Sequence, residues 1–146
     1  MDALEEPLRG WLGPHRSWLS EHAVDADKRK RMVEREAPRH YVDLDAPALD
    51  CLDSLGRAPW FSKAVEACGD DSLWAYGVLP WNIEWAHARL VEAMDARDRE
   101  AILRAAADLG HYVADAHVPL HTTLNYNGQL TAVSYTHLRA HETRNY

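Results

Sequence analysis

An all-α fold is predicted by three features of this 146-residue sequence. Apolar residues recur at three- and four-residue intervals, no long alternating pattern competes with them, and proline or glycine punctuates the stretches at helical lengths. Apolar residues form 47% of the chain and charged residues 27%, which is the balance of a protein with a core to bury. The length suits one domain or part of one.

Along the first region, Leu4, Leu8, Trp11, Leu12, Trp18 and Leu19 share an apolar side, with breaks at Gly10, Gly13 and Pro14. DADKRKRMVEREAP follows, and its basic run Lys28 to Arg31 is answered by Glu34 and Glu36, so it reads as a solvated helical face. Pro38 should end that helix and leave RHYVDLD extended. After a loop marked by Pro47, Gly56 and Pro59, a short helix should run through Cys68, with Gly69 as its C-terminal cap. Ile83, Ala86, Leu90, Val91 and Met94 define an amphipathic helix after Pro80, in which Trp81 and Trp85 read as packing residues. Ile102, Ala106, Leu109 and Val113 define another, from about Asp98 to Ala116.

The net charge of −7 disfavours a sequence-specific duplex binder, which gains affinity by neutralising phosphates. It does not exclude an enzyme whose positive charge resides in metal ions. Cys51 and Cys68 lack metal-ribbon spacing and are expected as buried thiols, with a disulfide the lesser option. No stretch approaches the roughly 18 apolar residues of a membrane span. The opening MDALEEPLRG lacks the basic and apolar regions of a signal peptide, so none is expected within this chain.

Chemistry concentrates in LGHYVADAHVPLHTTLNYNGQL. His111 and Asp115 are one helical turn apart on one face, where both can reach the same metal. Pro119 then interrupts the helix and lets His121 turn towards a neighbouring ion. Arg104 and Asp108 share that face, so spacing alone also fits a solvated polar surface. His117 fits a supporting or structural role. A second cluster holds Asp25, Asp27, His40, Asp43 and Asp45; by spacing alone it is an acidic loop with one histidine.

Taken together, EHAVDADKR, EAPRHYVDLD, AYGVLPWNIEW and LGHYVADAHVPLHTTLNYNGQLT resemble the zinc-dependent phospholipases C and fungal-type single-strand nucleases, particularly their uncharacterised bacterial branch. The resemblance spans roughly residues 10 to 131. It implies a helical domain with three zinc ions in the intact protein. Asp25, His40, His111 and Asp115 would hold the first ion, with Asp27 as the alternative to Asp25. Asp115 would bridge to a second ion and His121 would begin the site of the third, which places Asp115 and His121 in the catalytic centre. The NYNGQ segment, Asn125 to Gln129, would border the substrate.

The activity so implied is hydrolysis of a phosphodiester, in single-stranded nucleic acid or at a phospholipid headgroup, by metal-activated water. No nucleophile elbow, Walker loop or catalytic-cysteine motif competes with it. No stable protein partner is implied. Secretion or a periplasmic location follows from the resemblance alone.

Both ends depart from the family pattern. The N-terminal tryptophan and following histidine that bind zinc in relatives are missing, and the likeness stops at Thr131. Residues 1–131 are therefore expected to be a partial domain and 132–146 a non-native tail, with His137 and His141 falling near the missing ligands by coincidence. About one complete zinc site is expected here, and poor hydrolysis by this chain against an active parent. The alternatives are a non-catalytic helical zinc-binding fragment and, less compatible with the joined motifs, a helical interaction module.

Overall fold

The computed structural model describes residues 8–56 and 60–130. The chain is all-α, and no strand occurs among the described residues. The predicted first break is present. Helix α1 (Leu8–Leu12) passes through a 3-10 turn at Gly13–His15 into α2 (Arg16–His22), with Pro14 in the turn's first positions where its missing N–H is not needed. Helix α3 (Asp25–Arg29) is shorter than the sequence suggests. The chain leaves it through turns in which Arg35 takes φ 61°, and Pro38 opens a 3-10 turn at Ala37–His40 instead of closing the helix. Tyr41 is extended, at φ −151° and ψ 169°.

The segment expected as a loop around Pro47 is a 3-10 helix, Pro47–Leu55. Helix α4 (Phe61–Cys68) ends at Gly69, whose φ of 81° and N–H bond to the Val65 carbonyl make the predicted cap. Helix α5 (Asp70–Tyr76) follows, and Gly77 with φ 101° turns the chain into α6 (Leu79–Asp95). Asp98 starts α7 (Arg99–Asp115) by accepting the Glu100 and Ala101 amides. A last 3-10 turn spans Pro119–His121.

Cys51 and Cys68 correct the thiol expectation: they are joined as a disulfide, with Cα atoms 5.6 Å apart. The 3-10 helix and α4 lie side by side, which brings the two sulfurs within bonding reach. Beneath them Val42, Ala46, Leu49, Ala64, Leu73, Val78 and Trp81 form one core, flanked by Phe61, Trp74 and Trp85. Trp81 and Trp85 are packing residues as predicted, each edge-on to Phe61.

A smaller core of Ala26, Leu79, Ala86 and Tyr112 lies where α6 and α3 pack against α7. The two long helices occupy the expected ranges, but their buried faces are rotated from the predicted stripes. Val91, Met94 and Val113 are exposed, while Ala93, Leu103 and Ala107 are buried. No described helix is long and apolar enough to cross a membrane. The expected non-native tail, with His137 and His141, lies outside the described residues.

Candidate metal centre

Four separate elements deliver the polar side chains that meet beside the smaller core. Asp27 comes from α3, His40 from the 3-10 turn, His111 and Asp115 from α7, and His121 from the last 3-10 turn. His40 is fixed by the motif AYGVLPWN. The Val78 and Leu79 amides donate to the Pro38 and Tyr41 carbonyls at 2.8 and 3.1 Å, the Asp43 amide donates to the Tyr76 carbonyl, and Asn82 Nδ2 donates to the Arg39 carbonyl. Gly77 permits this clamp, because a Cβ there would stand 2.1 Å from the Tyr41 carbonyl oxygen.

His40 Nδ1 and His111 Nε2 lie 3.0 Å apart. Asp115 Oδ2 is 2.8 Å from the first and 3.2 Å from the second. Asp27 Oδ1 is 3.8 and 3.7 Å from the same two nitrogens. Asp27, His40 and His111 thus offer three donor atoms within 4.8 Å of one another, with Asp115 against both rings. Ligands bonded at roughly 2.0–2.1 Å in a tetrahedral shell stand about 3.3 Å from each other, the middle of the observed range. Two carboxylates and two neutral imidazoles also balance a divalent charge. The group can hold a metal ion, and Lys30 Nζ lies 2.6 Å from Asp27 Oδ1 at its edge.

Of the two aspartates that the sequence left open, Asp27 is the one beside the histidines. Asp25 Oδ1 instead accepts Lys28 Nζ at 2.7 Å, and that lysine holds its carboxyl below the ordinary range. Two helical positions differ by about 200° around the axis, so the pair cannot face one point. Asp25 lines a separate cavity of about 710 Å³ between α2, α3 and α7, together with Trp18, His22, Arg29, Arg104 and Asp108.

His121 is buried, and its Nδ1 donates to the His40 carbonyl at 2.7 Å. A carbonyl only accepts, so this bond puts a proton on Nδ1. Its Nδ1 is 3.7 Å from Asp115 Oδ1. Asp115 therefore turns one oxygen to the His40 and His111 pair and the other towards His121. His117 is exposed and bonds the Val113 carbonyl of its own helix. Asp43 is buried. Asp45 ties down the NYNGQ loop, accepting the Thr123 hydroxyl at 2.6 Å and the Leu124 amide at 2.7 Å.

Burial works to raise the Asp115 carboxyl, but His111 and His40 outweigh it and hold the group well below the usual carboxylate range. Burial likewise works to lower His111, and the Asp115 and Asp27 carboxylates prevail, so its pKa is raised. Protons and a metal compete for these atoms.

The sequence reading did not single out the layer behind the ligands. Glu36 is 2% exposed, and its Oε1 accepts the Tyr112 hydroxyl at 2.5 Å and Arg29 Nη2 at 3.4 Å. Arg29 also pairs with Asp108 at 2.9 Å. Burial acts against the Glu36 charge, yet His40, Tyr112, Arg29 and Arg39 together lower its pKa to about 2. Tyr112, desolvated and bonded to that carboxylate, is raised to about 12. The four-residue step from Glu36 to His40 was the available signal.

This chain matches no family model, no curated protein and no solved structure. The residues of the site are thus read on their own chemistry.

Proposed function

We propose that this chain carries a zinc site of a phosphodiester hydrolase, of the kind found in zinc phospholipases C and single-strand nucleases. The observation that carries this reading is the two-sided Asp115 carboxylate. Oδ2 lies against the His40 and His111 nitrogens, and Oδ1 is turned to a further imidazole, 3.7 Å from the Nδ1 that His121 gives to the His40 carbonyl, as the second oxygen of a carboxylate shared between adjacent metals would be. A bound zinc would supply Lewis acidity to a phosphoryl oxygen and acidify a water for attack. His40 and His111 would hold it through neutral nitrogens, Asp27 and Asp115 would balance its charge, and His121 would offer Nε2 to a neighbour. The substrate class is single-stranded nucleic acid or a phospholipid headgroup. The Cys51–Cys68 disulfide supports maturation in an oxidising compartment, secreted or periplasmic.

One observation favours a second reading, a structural zinc in a non-catalytic helical domain. Asp27, His40, His111 and Asp115 are already four protein donors, and a closed shell of four is the usual structural arrangement, whereas catalysis needs an open position. The test is zinc titration followed by turnover on single-stranded DNA and a choline phospholipid. Zinc should bind, and His111→Ala should weaken binding more than a hundredfold, beyond the loss typical of an outer partner. Zinc-dependent hydrolysis lost in that variant supports the hydrolase. Tight zinc with no turnover on either substrate selects the structural site, and no zinc binding overturns both.

A further inference from the structure

Glu36 is outside the proposed metal shell, although it is among the most deeply buried charged groups described. It stands one turn before His40, and its Oε1 is 3.7 Å from His40 Nε2. That nitrogen is shielded from solvent and has no hydrogen-bond partner. The opposite ring nitrogen, Nδ1, is the one that meets His111 and Asp115. An imidazole that gives Nδ1 to a metal carries its proton on Nε2, so the ring must send an N–H inward. Glu36 Oε1 is the acceptor on that side. A gap of 3.7 Å exceeds hydrogen-bond length, and a small movement of either group would close it.

Glu36 is itself held. Tyr112 donates its hydroxyl to Oε1, Arg29 Nη2 lies 3.4 Å from the same oxygen, and Arg39 Nη1 lies 3.6 Å from Oε2. Tyr112 follows His111 on α7, and its ring lies edge-on to His40 at 5.1 Å between centroids. The helix that supplies two metal donors therefore also anchors the carboxylate behind a third.

We propose that Glu36, steadied by Tyr112, is the positioning residue for His40: it accepts a hydrogen bond from the inward Nε2–H, which keeps the proton on that nitrogen and so commits Nδ1 to the metal. This rests on the metal reading, and the two are tested separately in one experiment. The full chain, Glu36→Gln and Tyr112→Phe are titrated with cobalt(II) chloride, then with zinc against a chromophoric chelator, after circular dichroism shows that each is helical. Wild type should bind cobalt with visible absorption bands. Glu36→Gln should bind zinc ten- to a hundredfold more weakly, the usual cost of losing an outer partner, and shift the cobalt bands. Tyr112→Phe should lose affinity several-fold in the same sense. Ile83→Ala, in the same core, should lower stability while leaving the bands in place, which separates positioning from general support.

Failure of wild type to bind either metal overturns the metal reading. Wild-type binding with unchanged affinity and spectrum in both variants overturns the role of Glu36. If Glu36→Gln does not fold, Tyr112→Phe decides alone.

Discussion

Around the disulfide the chain buries Leu49, Leu73, Val78 and Trp81 among aromatic neighbours, whereas around His40 it buries Glu36, Asp115 and His121. The first region is stabilised by removing apolar surface from water and by a covalent link, neither of which depends on ionisation. The second gains its stability only while several charges remain mutually compensated, and each of them is costly if left alone. Helix α7 shows the contrast within one element, since Ile102 and Leu103 near its start are apolar core while Asp115 at its end is charged core. Apolar packing supplies the frame, and polar burial is concentrated where chemistry is proposed.

The comparison breaks most severely at Gly77, which belongs to the apolar region but clamps the segment carrying His40. Gly77→Ala would force a Cβ to 2.1 Å from the Tyr41 carbonyl at a φ of 101°, so a loss of roughly 4 kcal/mol or more is expected in urea unfolding. Metal affinity should fall with it. An unchanged affinity in folded Gly77→Ala protein would show that the two regions are independent.

Replacing both Cys51 and Cys68 by serine sharpens the contrast. Opening a link across 17 residues should cost about 3 kcal/mol, with zinc affinity retained because no donor lies on the bridged segments. A parallel loss of zinc would place the disulfide under the metal site.

Acid should act on the other region. Glu36 and Asp115 both have folded pKa values below their ordinary ones. Their stabilisation is thus complete above the unfolded carboxylate range and is lost as pH falls through the folded values. For Glu36, ordinarily near 4.5 and lowered to about 2, the expected loss in the metal-free protein is about 3 kcal/mol between those pH values. Hydrogen exchange at pH 3 should open α7 near Asp115 before α4. Equal opening of both would erase the distinction.

How much of this was legible follows the same division. The ranges of α6 and α7, the Asp98 start and the Gly69 stop were readable because periodicity and end signals are local. The rotation of the buried faces was not: Ala93, Leu103 and Ala107 are selected by close helix packing, and stripes drawn through Val91, Met94 and Val113 pass over them. His111 and Asp115 were readable as a helical pair, but spacing gave no reason for His40 to meet them from 71 residues away. Glu36 looked like one more solvated charge in KRKRMVERE, since its burial depends on Tyr112 and Arg29 arriving from elsewhere. Cys51 and Cys68 carried no motif, and only the packing of their two helices decides their pairing.

The bond from His121 Nδ1 to the His40 carbonyl joins positions 81 residues apart, and the Val42 and Leu44 amides reinforce it by donating to the His121 and Thr122 carbonyls. In kinetic terms, this junction closes a long loop, whose entropy must be met before its contacts give any return. The α6–α7 hairpin and the 3-10 helix with α4 involve shorter separations and can form first. Folding intermediates would then have native-like helices but no assembled donor set, with His40 the last of the proposed donors to reach His111 and Asp115.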